Sequence, residues 1–205
     1  MRTVLLVVVA LVFAAVGTSE AQVLTTAETI GRAHQAVLFS ENRVFVEGAR
    51  LHMVVGQYVR GVADHVDIYV VAGATRTDDE AGTSVLNQAW LGAGANWSVG
   101  SWRGFRASLF GVVSAPITRR SQASVILANP AVVVSRTIIK DRLALYTGVN
   151  ALVPVGHADR GWFTPPDTKV NVPAGALIMA GKWGLFVEAD IGHLRALGFG
   201  LALSL

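Results

Sequence analysis

The feature that most constrains the fold of this chain is its last stretch, residues 194–205, which reads LRALGFGLALSL. Large apolar residues occupy alternate positions here, and the residues between them are small or weakly polar. The large set is Leu197, Phe199, Leu201, Leu203 and Leu205, and the small set is Ala196, Gly198, Gly200, Ala202 and Ser204. Because alternate side chains of a β-strand point to opposite faces, the pattern predicts a strand with one large apolar face and one small face. A membrane barrel turns such a large face to lipid and such a small face to a narrow lumen.

This alternation resembles the C-terminal strand of bacterial outer-membrane β-barrel proteins, which ends in an apolar or aromatic residue and is read by the barrel-insertion machinery. Leu205 stands where that family usually carries Phe. The stretch GVADHVD at residues 61–67 is also similar to the short periplasmic turns of the family. The resemblance implies an antiparallel up-and-down transmembrane β-barrel in the cell outer membrane. It also implies three partners: outer-membrane lipids, lipopolysaccharide and the insertion machinery.

The N-terminus predicts export. Arg2 precedes an apolar run from Val4 to Val16, and Ser19-Glu20-Ala21 has the small-x-small pattern of a cleavage site. The apolar run is about 13 residues long, whereas a membrane-spanning helix needs roughly 20. We therefore predict a signal peptide at residues 1–21, a loose periplasmic lead-in at 22–32 and the barrel at 33–205.

Composition argues against several functional classes. The chain contains no Cys, which excludes a disulfide framework and a thiolate metal site. Its 17 Lys and Arg residues are scattered rather than interleaved with aromatic residues, so nucleic acid is not an expected partner. The five His residues show neither H-x-x-x-H nor H-E-x-x-H spacing. We therefore expect no metal and no cofactor.

The rest of the chain consists of runs of about nine to fourteen residues rich in Val, Leu, Ala and Gly, separated by polar or Gly-containing breaks. No run keeps the three-to-four spacing of an amphipathic helix. The runs predict ten strands, at 33–41, 49–61, 66–76, 85–99, 104–117, 123–137, 142–155, 169–179, 183–191 and 194–205. An eight-stranded barrel is the alternative if the first strand or the final hairpin is read differently. Pro130, inside the sixth run, predicts a bulge.

Aromatic residues give an independent indication of a membrane. Tyr and Trp favour the two membrane interfaces. Six of these residues fall beside the connections that we predict to be short periplasmic turns: Tyr58, Tyr69, Trp97, Trp102, Tyr146 and Trp183. They predict an interfacial girdle. The alternative is that they pack beneath the hairpins of a soluble barrel.

Three charged residues are candidates for the lumen. Period-two alternation places Glu188 and Asp190 on the small face of the ninth strand, and Arg106 on the more polar face of the fifth. A charge in a narrow interior must be paired or hydrated. We therefore predict a structural salt-bridge network in which Arg106 faces the two carboxylates, with an ion or proton path as the alternative.

Two predicted outward loops carry candidate contact residues. Arg119 and Arg120 would lie near lipopolysaccharide phosphates, and arginine pairs well with phosphate oxygens. Trp162 and Phe163 lie in the longest break, residues 156–168, together with a Pro-Pro pair. This loop is predicted to be a recognition loop or lid, or simply to close the top of the barrel.

The leading hypothesis for function is a small outer-membrane barrel with a structural or interaction role in the cell envelope, and not an enzyme. A narrow pore for small solutes is favoured instead if the lumen around Gly92, Gly94 and the two carboxylates is open. A lipid-modifying enzyme would bring His157 or His193 next to an acid and a hydroxyl. A soluble periplasmic barrel that binds a lipophile would place the large apolar residues inside.

Overall fold

The computed structural model describes residues 27–46, 49–79, 84–117, 124–140, 142–158, 168–192 and 195–205. Its strands are β1 (Gln35–Val46), β2 (Ala49–Ala63), β3 (Val66–Asp79), β4 (Ser84–Trp102), β5 (Phe105–Pro116), β6 (Ser124–Ile139), β7 (Leu143–Ala158), β8 (Lys169–Ala180), β9 (Trp183–Gly192) and β10 (Arg195–Ser204). Within those ranges no helix is long and apolar enough to cross a membrane.

The ten strands form one closed barrel. Each strand pairs antiparallel with the next in the chain, and β1 pairs with β10 to complete the cylinder. This confirms the predicted up-and-down barrel and selects ten strands over eight. One end carries the connections at 64–65, 103–104, 140–142 and 181–182 together with the start of β1 and the end of β10; we name it the turn end. The opposite end, with the other five connections, is the loop end.

The predicted faces of the last two strands agree with the structure. Phe199 and Leu201 of β10 point outward and are exposed, whereas Gly198 and Gly200 point inward and are buried. Outward-pointing apolar side chains are exposed on every strand, among them Phe39, Val54, Ile68, Leu91, Leu109, Val132, Val149, Val172, Leu185 and Leu201. A continuous apolar outer surface of this kind is what lipid requires of a barrel wall.

The main error in strand boundaries concerns β1. The predicted loop beginning at residue 42 is wrong, because β1 continues to Val46 and pairs with β2 as far as Ala49. Ser40 and Asn42 point inward, and Glu41 and Arg43 point outward. With polar residues on both faces the hydrophobic alternation disappears, although the backbone ladder does not depend on it.

The hairpin between β4 and β5 is tighter than the sequence indicated. β4 extends to Trp102, so the turn consists of Arg103 and Gly104 rather than residues 100–103. Both residues have positive φ, 49° and 81° respectively. Two-residue hairpins favour this backbone because its twist matches that of the flanking strands.

The bulge predicted at Pro130 is not found there. Pro130 lies opposite Gly111 of β5 in unbroken register, and on the other side Ala128 and Ala131 keep the same register with β7. The shift occurs earlier, between Ile126 and Leu127. A missing N–H donor at Pro130 therefore removes a ladder bond without displacing the strand.

The aromatic girdle is smaller than predicted. Trp97, Trp102 and Trp183 are exposed at the turn end, as an interfacial girdle requires. Arg103 stacks over Trp102, with its guanidinium carbon 4.9 Å from the ring centroid. Tyr69 and Tyr146, in contrast, are buried inside the barrel. They lie on the inward faces of β3 and β7. A position beside a turn in the sequence does not indicate whether a side chain points inward or outward.

Candidate functional site in the barrel interior

The two carboxylates of β9 lie inside the barrel. Glu188 is 1% exposed and Asp190 is 0% exposed. They share the inward face with Phe186 because all three occupy alternate positions of one strand. Burying a carboxylate in this way requires hydrogen-bond partners around it.

Tyr146 is one such partner and was not predicted. Its hydroxyl donates a hydrogen bond to Glu188 Oε2 at 2.7 Å. Tyr146 is on β7 and Glu188 is on β9, so the ring must cross β8, which it does above Gly175. A Cβ at Gly175 would collide with the Tyr146 ring. The missing side chain of one glycine therefore allows this bond to form.

The same arrangement recurs elsewhere in the interior. The Trp90 ring occupies the space above Gly73, and the Phe186 ring occupies the space above Gly200. Trp90 also donates through Nε1 to Thr75 Oγ1 at 3.2 Å. In each case an aromatic side chain lies flat on a glycine of a neighbouring strand, which lets a narrow barrel hold large rings.

Arg106 does not face the two carboxylates of β9 as predicted. Its Nε lies 3.5 Å from Glu28 Oε1, and the arginine side chain is half exposed. The position is at the start of β5, close to the turn end, whereas Asp190 lies near the loop end of β9. Sequence alternation correctly assigned Arg106 to the inward face. Its height along the barrel axis relative to Glu188 and Asp190 depends on strand register, and alternation within one strand does not determine register.

Asparagine residues form a buried polar row across several strands. Asn96 of β4, Asn150 of β7 and Asn171 of β8 all point inward and are at most 3% exposed. Asn171 is the register partner of Asn150. Asn150 in turn pairs with Ala131 of β6, Ala131 with Phe110 of β5, and Phe110 with Asn96 of β4. Neither amide atom of Asn96 or Asn150 has a hydrogen-bond partner among the described residues. Polar interiors commonly satisfy such groups with ordered water.

The segment before β1 lies across the turn end rather than hanging loose from it. Its described part begins at Ala27, which is completely buried. Thr29 Oγ1 donates to the Asp64 carbonyl at 2.8 Å, and the Ile30 amide donates to Asp67 Oδ2 at 3.1 Å. On the far side of the opening, Thr137 Oγ1 donates to Glu28 Oε1 at 2.8 Å. We name residues 27–34 the cross-mouth segment.

A cavity of about 230 Å³ lies behind the cross-mouth segment. Its wall is mostly apolar and includes Leu38, Tyr69, Leu177, Met179 and Phe186. Glu28, His34, Asp67, Tyr146 and Lys182 add polar groups. The cavity is therefore a small chamber at the turn end, partly covered by the chain's own N-terminal segment.

Deeper in the barrel, inward side chains such as Phe110, Val112 and Asn96 are buried. A Cβ at Gly94 would lie 2.6 Å from Val112 Cγ2, and one at Gly92 would lie 3.0 Å from Ser114 Cβ. These two glycines mark the region whose openness would favour a pore. Both contacts are with the adjacent strand β5, where Ser114 and Val112 are the register partners of these glycines.

Several candidate residues lie beyond what the structure describes. Arg119, Arg120, Trp162 and Phe163 fall in the ranges 118–123 and 159–167, outside the described residues. His193 is also outside them, and only the backbone of His157 is described, opposite Val125 in the β6–β7 ladder. In the described part of the chain no group of three or more His, Asp or Glu residues is placed to hold a metal ion.

Comparison with solved structures finds the same architecture elsewhere. An outer membrane channel from Pseudomonas putida F1 matches with a TM-score of 0.59 and 9% identity, covering 90% of this chain and 100% of that one. De novo designed transmembrane β-barrels match with a TM-score of 0.37 and 15% identity, covering 85% and 97%. No protein-family model matches the sequence, and no curated protein matches it either. At 9% identity the first likeness establishes the fold alone: this chain shares the closed barrel architecture of an outer membrane channel.

Proposed function

We propose that the protein is an outer-membrane β-barrel with a structural or interaction role in the cell envelope, and that its lumen is closed. The observation that carries the second part is the burial of polar interior side chains. Asn42 and Asp190 are 0% exposed, and Asn96 and Asn150 are 1% exposed. A solvated channel wide enough to pass solutes would leave such groups accessible to water.

The membrane location is supported by the outer wall. A soluble barrel that binds a lipophile would place its large apolar residues inside and a polar face outside. Here the outward faces of the strands expose Leu, Val, Ile and Phe, with Trp97, Trp102 and Trp183 at one rim. Transferring this surface from water to lipid is favourable at roughly 25 cal/mol for each Å² of apolar area.

The membrane location and the closed lumen can be tested on the same expressed protein. The expressed chain is expected in the outer-membrane fraction, in a form whose gel mobility changes on boiling because a closed hydrogen-bonded barrel resists detergent until heated. The purified protein is expected to give no steady conductance in planar bilayers. A band confined to the soluble periplasm would contradict the membrane location, and regular conductance steps would contradict the closed lumen.

A narrow pore is the second candidate function. The cavity behind the cross-mouth segment favours it, because that chamber already opens part of the interior from the turn end. The channel from Pseudomonas putida F1 shares the fold, which makes conduction by such a barrel a reasonable hypothesis for this chain. Displacement of the cross-mouth segment would be the first step toward an open path.

We propose that the chain is not an enzyme and that the barrel-insertion machinery recognises its last strand during biogenesis. The second statement rests on the alternating outward residues of β10, from Leu197 to Leu203. The loop arginines Arg119 and Arg120 stay candidates for contact with lipopolysaccharide, as do Trp162 and Phe163 for other contacts at the loop end.

A further inference from the structure

The outer wall of β1, β2 and β3 changes from apolar to charged toward the loop end. Nearer the middle, the outward residues Phe39, Val54 and Val70 are exposed and apolar. Nearer the loop end the outward residues are charged or titratable, and three of them are direct register partners. Arg43 lies opposite His52, and His52 lies opposite Arg76. We name Arg43, His52 and Arg76, together with Arg50 on β2, the basic row.

Neighbouring carboxylates position the side chains of the basic row. Arg76 Nε donates to Asp78 Oδ1 at 2.7 Å, and Asp78 Oδ2 lies 4.0 Å from His52 Nε2. The side chain of Arg76 is 57% exposed, whereas that of Asp78 is 12% exposed. The guanidinium of Arg76 is therefore the more exposed group, and the Asp78 carboxylate that orients it is the more buried one.

Arg43 is held in the same way on the neighbouring strand. Its Nε donates to Glu41 Oε1 at 3.4 Å, and its side chain is 58% exposed. An arginine has five N–H donors, so a bond through Nε leaves four for another ligand. Among the described side chains of this patch, the three arginines of the basic row accompany two carboxylates, Glu41 and Asp78.

The level of the basic row matches the edge of a membrane rather than its middle. On β2, His52 and Arg60 both point outward and are separated by 60 − 52 = 8 residues. With a rise of about 3.3 Å per residue and a tilt of about 40°, this separation spans about 20 Å along the barrel axis. The apolar band of outer-membrane barrels is about 25 Å tall. The two positions are about 5 Å closer together than the height of the band, so each lies near one of its edges, and the basic row lies near the loop-end edge.

Among the described residues, outward charged side chains at the loop end lie on β1, β2 and β3 and on the neighbouring β10, where Arg195 is exposed opposite Phe45. At the loop end of β8 and β9, the outward residues Val170, Val172 and Ile191 are exposed and apolar. If charge were generally required at the membrane edge, charged outward residues would be expected around the whole circumference of the barrel. A local cluster of arginines held by carboxylates is instead the arrangement that recognises discrete anionic groups, above all phosphate oxygens.

We propose that the basic row binds the phosphate groups of a lipopolysaccharide headgroup in the outer leaflet, with Arg43 and Arg76 as the principal contacts. The proposal rests on the outer-membrane location proposed above, with the loop end facing outward. It adds the barrel wall, as a second site of lipid contact, to the loop arginines Arg119 and Arg120. The lipid would lie against Phe39 and Val54 with its acyl chains and against the arginines with its phosphates.

The test is a binding measurement on purified protein in an uncharged maltoside detergent, which does not depend on cellular location. Native mass spectrometry would count purified lipopolysaccharide molecules bound to the wild type and to an Arg43→Ala/Arg76→Ala double variant. We expect the double variant to bind at least tenfold more weakly. Arg60→Ala is the matched control, because Arg60 is an outward arginine at the opposite edge, and its affinity should equal that of the wild type.

Three further arms identify the ligand. An Arg43→Lys/Arg76→Lys variant keeps the charge but loses the planar fork, so its affinity should fall between the other two. Lipopolysaccharide stripped of phosphate should bind as weakly to the wild type as the intact lipid does to the alanine variant. Inorganic phosphate at equal concentration should not compete. All variants should keep the heat-dependent gel mobility of a closed barrel.

Several results would overturn the proposal. Equal binding of the dephosphorylated lipid would show that phosphate is not recognised, and unchanged binding by the alanine variant would move the contact elsewhere. Effective competition by inorganic phosphate would identify a small-anion site instead. A wild-type dimer that dissociates on substitution of the two arginines would identify the same wall as an interface between copies of this chain.

Discussion

At the scale of single residues, glycine decides where the aromatic side chains of this narrow barrel can lie. Tyr146 reaches Glu188 only because Gly175, on the intervening strand β8, has no side chain to block the ring. Sequence alternation assigned the carboxylate to the interior but did not find its partner. The partnership depends on the register of β8 against both neighbours, and a single sequence contains no signal for it. The polar residues Asn96 of β4 and Asn150 of β7 indicate which face of each strand lines the interior, but they do not identify which side chains meet there.

Substitution of Gly175 should therefore destabilise the barrel. Gly175→Val would place a side chain in the space of the Tyr146 ring and break its bond to Glu188, at a cost of about 2–4 kcal/mol in the free energy of unfolding. Urea unfolding in lipid vesicles measures the difference. Tyr146→Phe, which removes only the hydroxyl, should cost about 1–3 kcal/mol. Gly111→Ala is the control, since a Cβ there meets nothing within 4 Å; equal losses at both glycines would contradict the account.

At the scale of elements, the strands were predictable and the segment before them was not. Nine of the ten strands end within three residues of the predicted position, because outward and inward side chains alternate along a strand and give the sequence a period of two. β1 was cut short where both of its faces are polar. Residues 27–32 of the cross-mouth segment carry no period and were predicted to be loose, whereas residues 33 and 34 were predicted to begin the first strand. The order of the segment comes from hydrogen bonds to Asp64, Asp67 and Thr137, which are distant in sequence.

Removal of the cross-mouth segment separates the two candidate functions. We compare the full chain with a variant in which residues 27–32 are replaced by Gly and Ser at equal length. Val59 is buried in the cavity wall, so a Val59→Cys thiol should react with a water-soluble reagent at least tenfold faster once the segment is replaced. Planar bilayers should still show no steady conductance, because the asparagine row lies deeper in the barrel.

Two outcomes would count against this expectation. Conductance steps in the replaced variant alone would establish a pore closed by the segment and would refute the closed structural barrel. An unchanged thiol reaction rate would show that the segment does not cover the cavity. A cysteine at Lys140, which is exposed in the turn-end connection of residues 140–142, is the control, since its reaction should not depend on the segment.

At the scale of the whole molecule, the closing seam between the first and last strands can be tested directly. Val37 and Leu203 are register partners across the seam, and the chain contains no native Cys. A Val37→Cys/Leu203→Cys variant should therefore form a disulfide on mild oxidation, visible as a gel band whose mobility depends on reductant. Val37→Cys/Phe199→Cys should not, because residue 199 is four positions, or about 13 Å, along β10. Cross-linking of the second pair instead would contradict the register.

The seam also governs the order in which this molecule can assemble. Its pairs join residues separated by 195 − 45 = 150 to 204 − 36 = 168 positions, so the cylinder cannot close until nearly all of the barrel strands are present. Every nascent intermediate has two unpaired strand edges, each able to template aggregation. Non-local pairing of this kind is intrinsically slow. Because β10 supplies one side of the seam, the cylinder closes only once β10 is present, and until then the free edges of β1 and β9 are open to pairing with other chains.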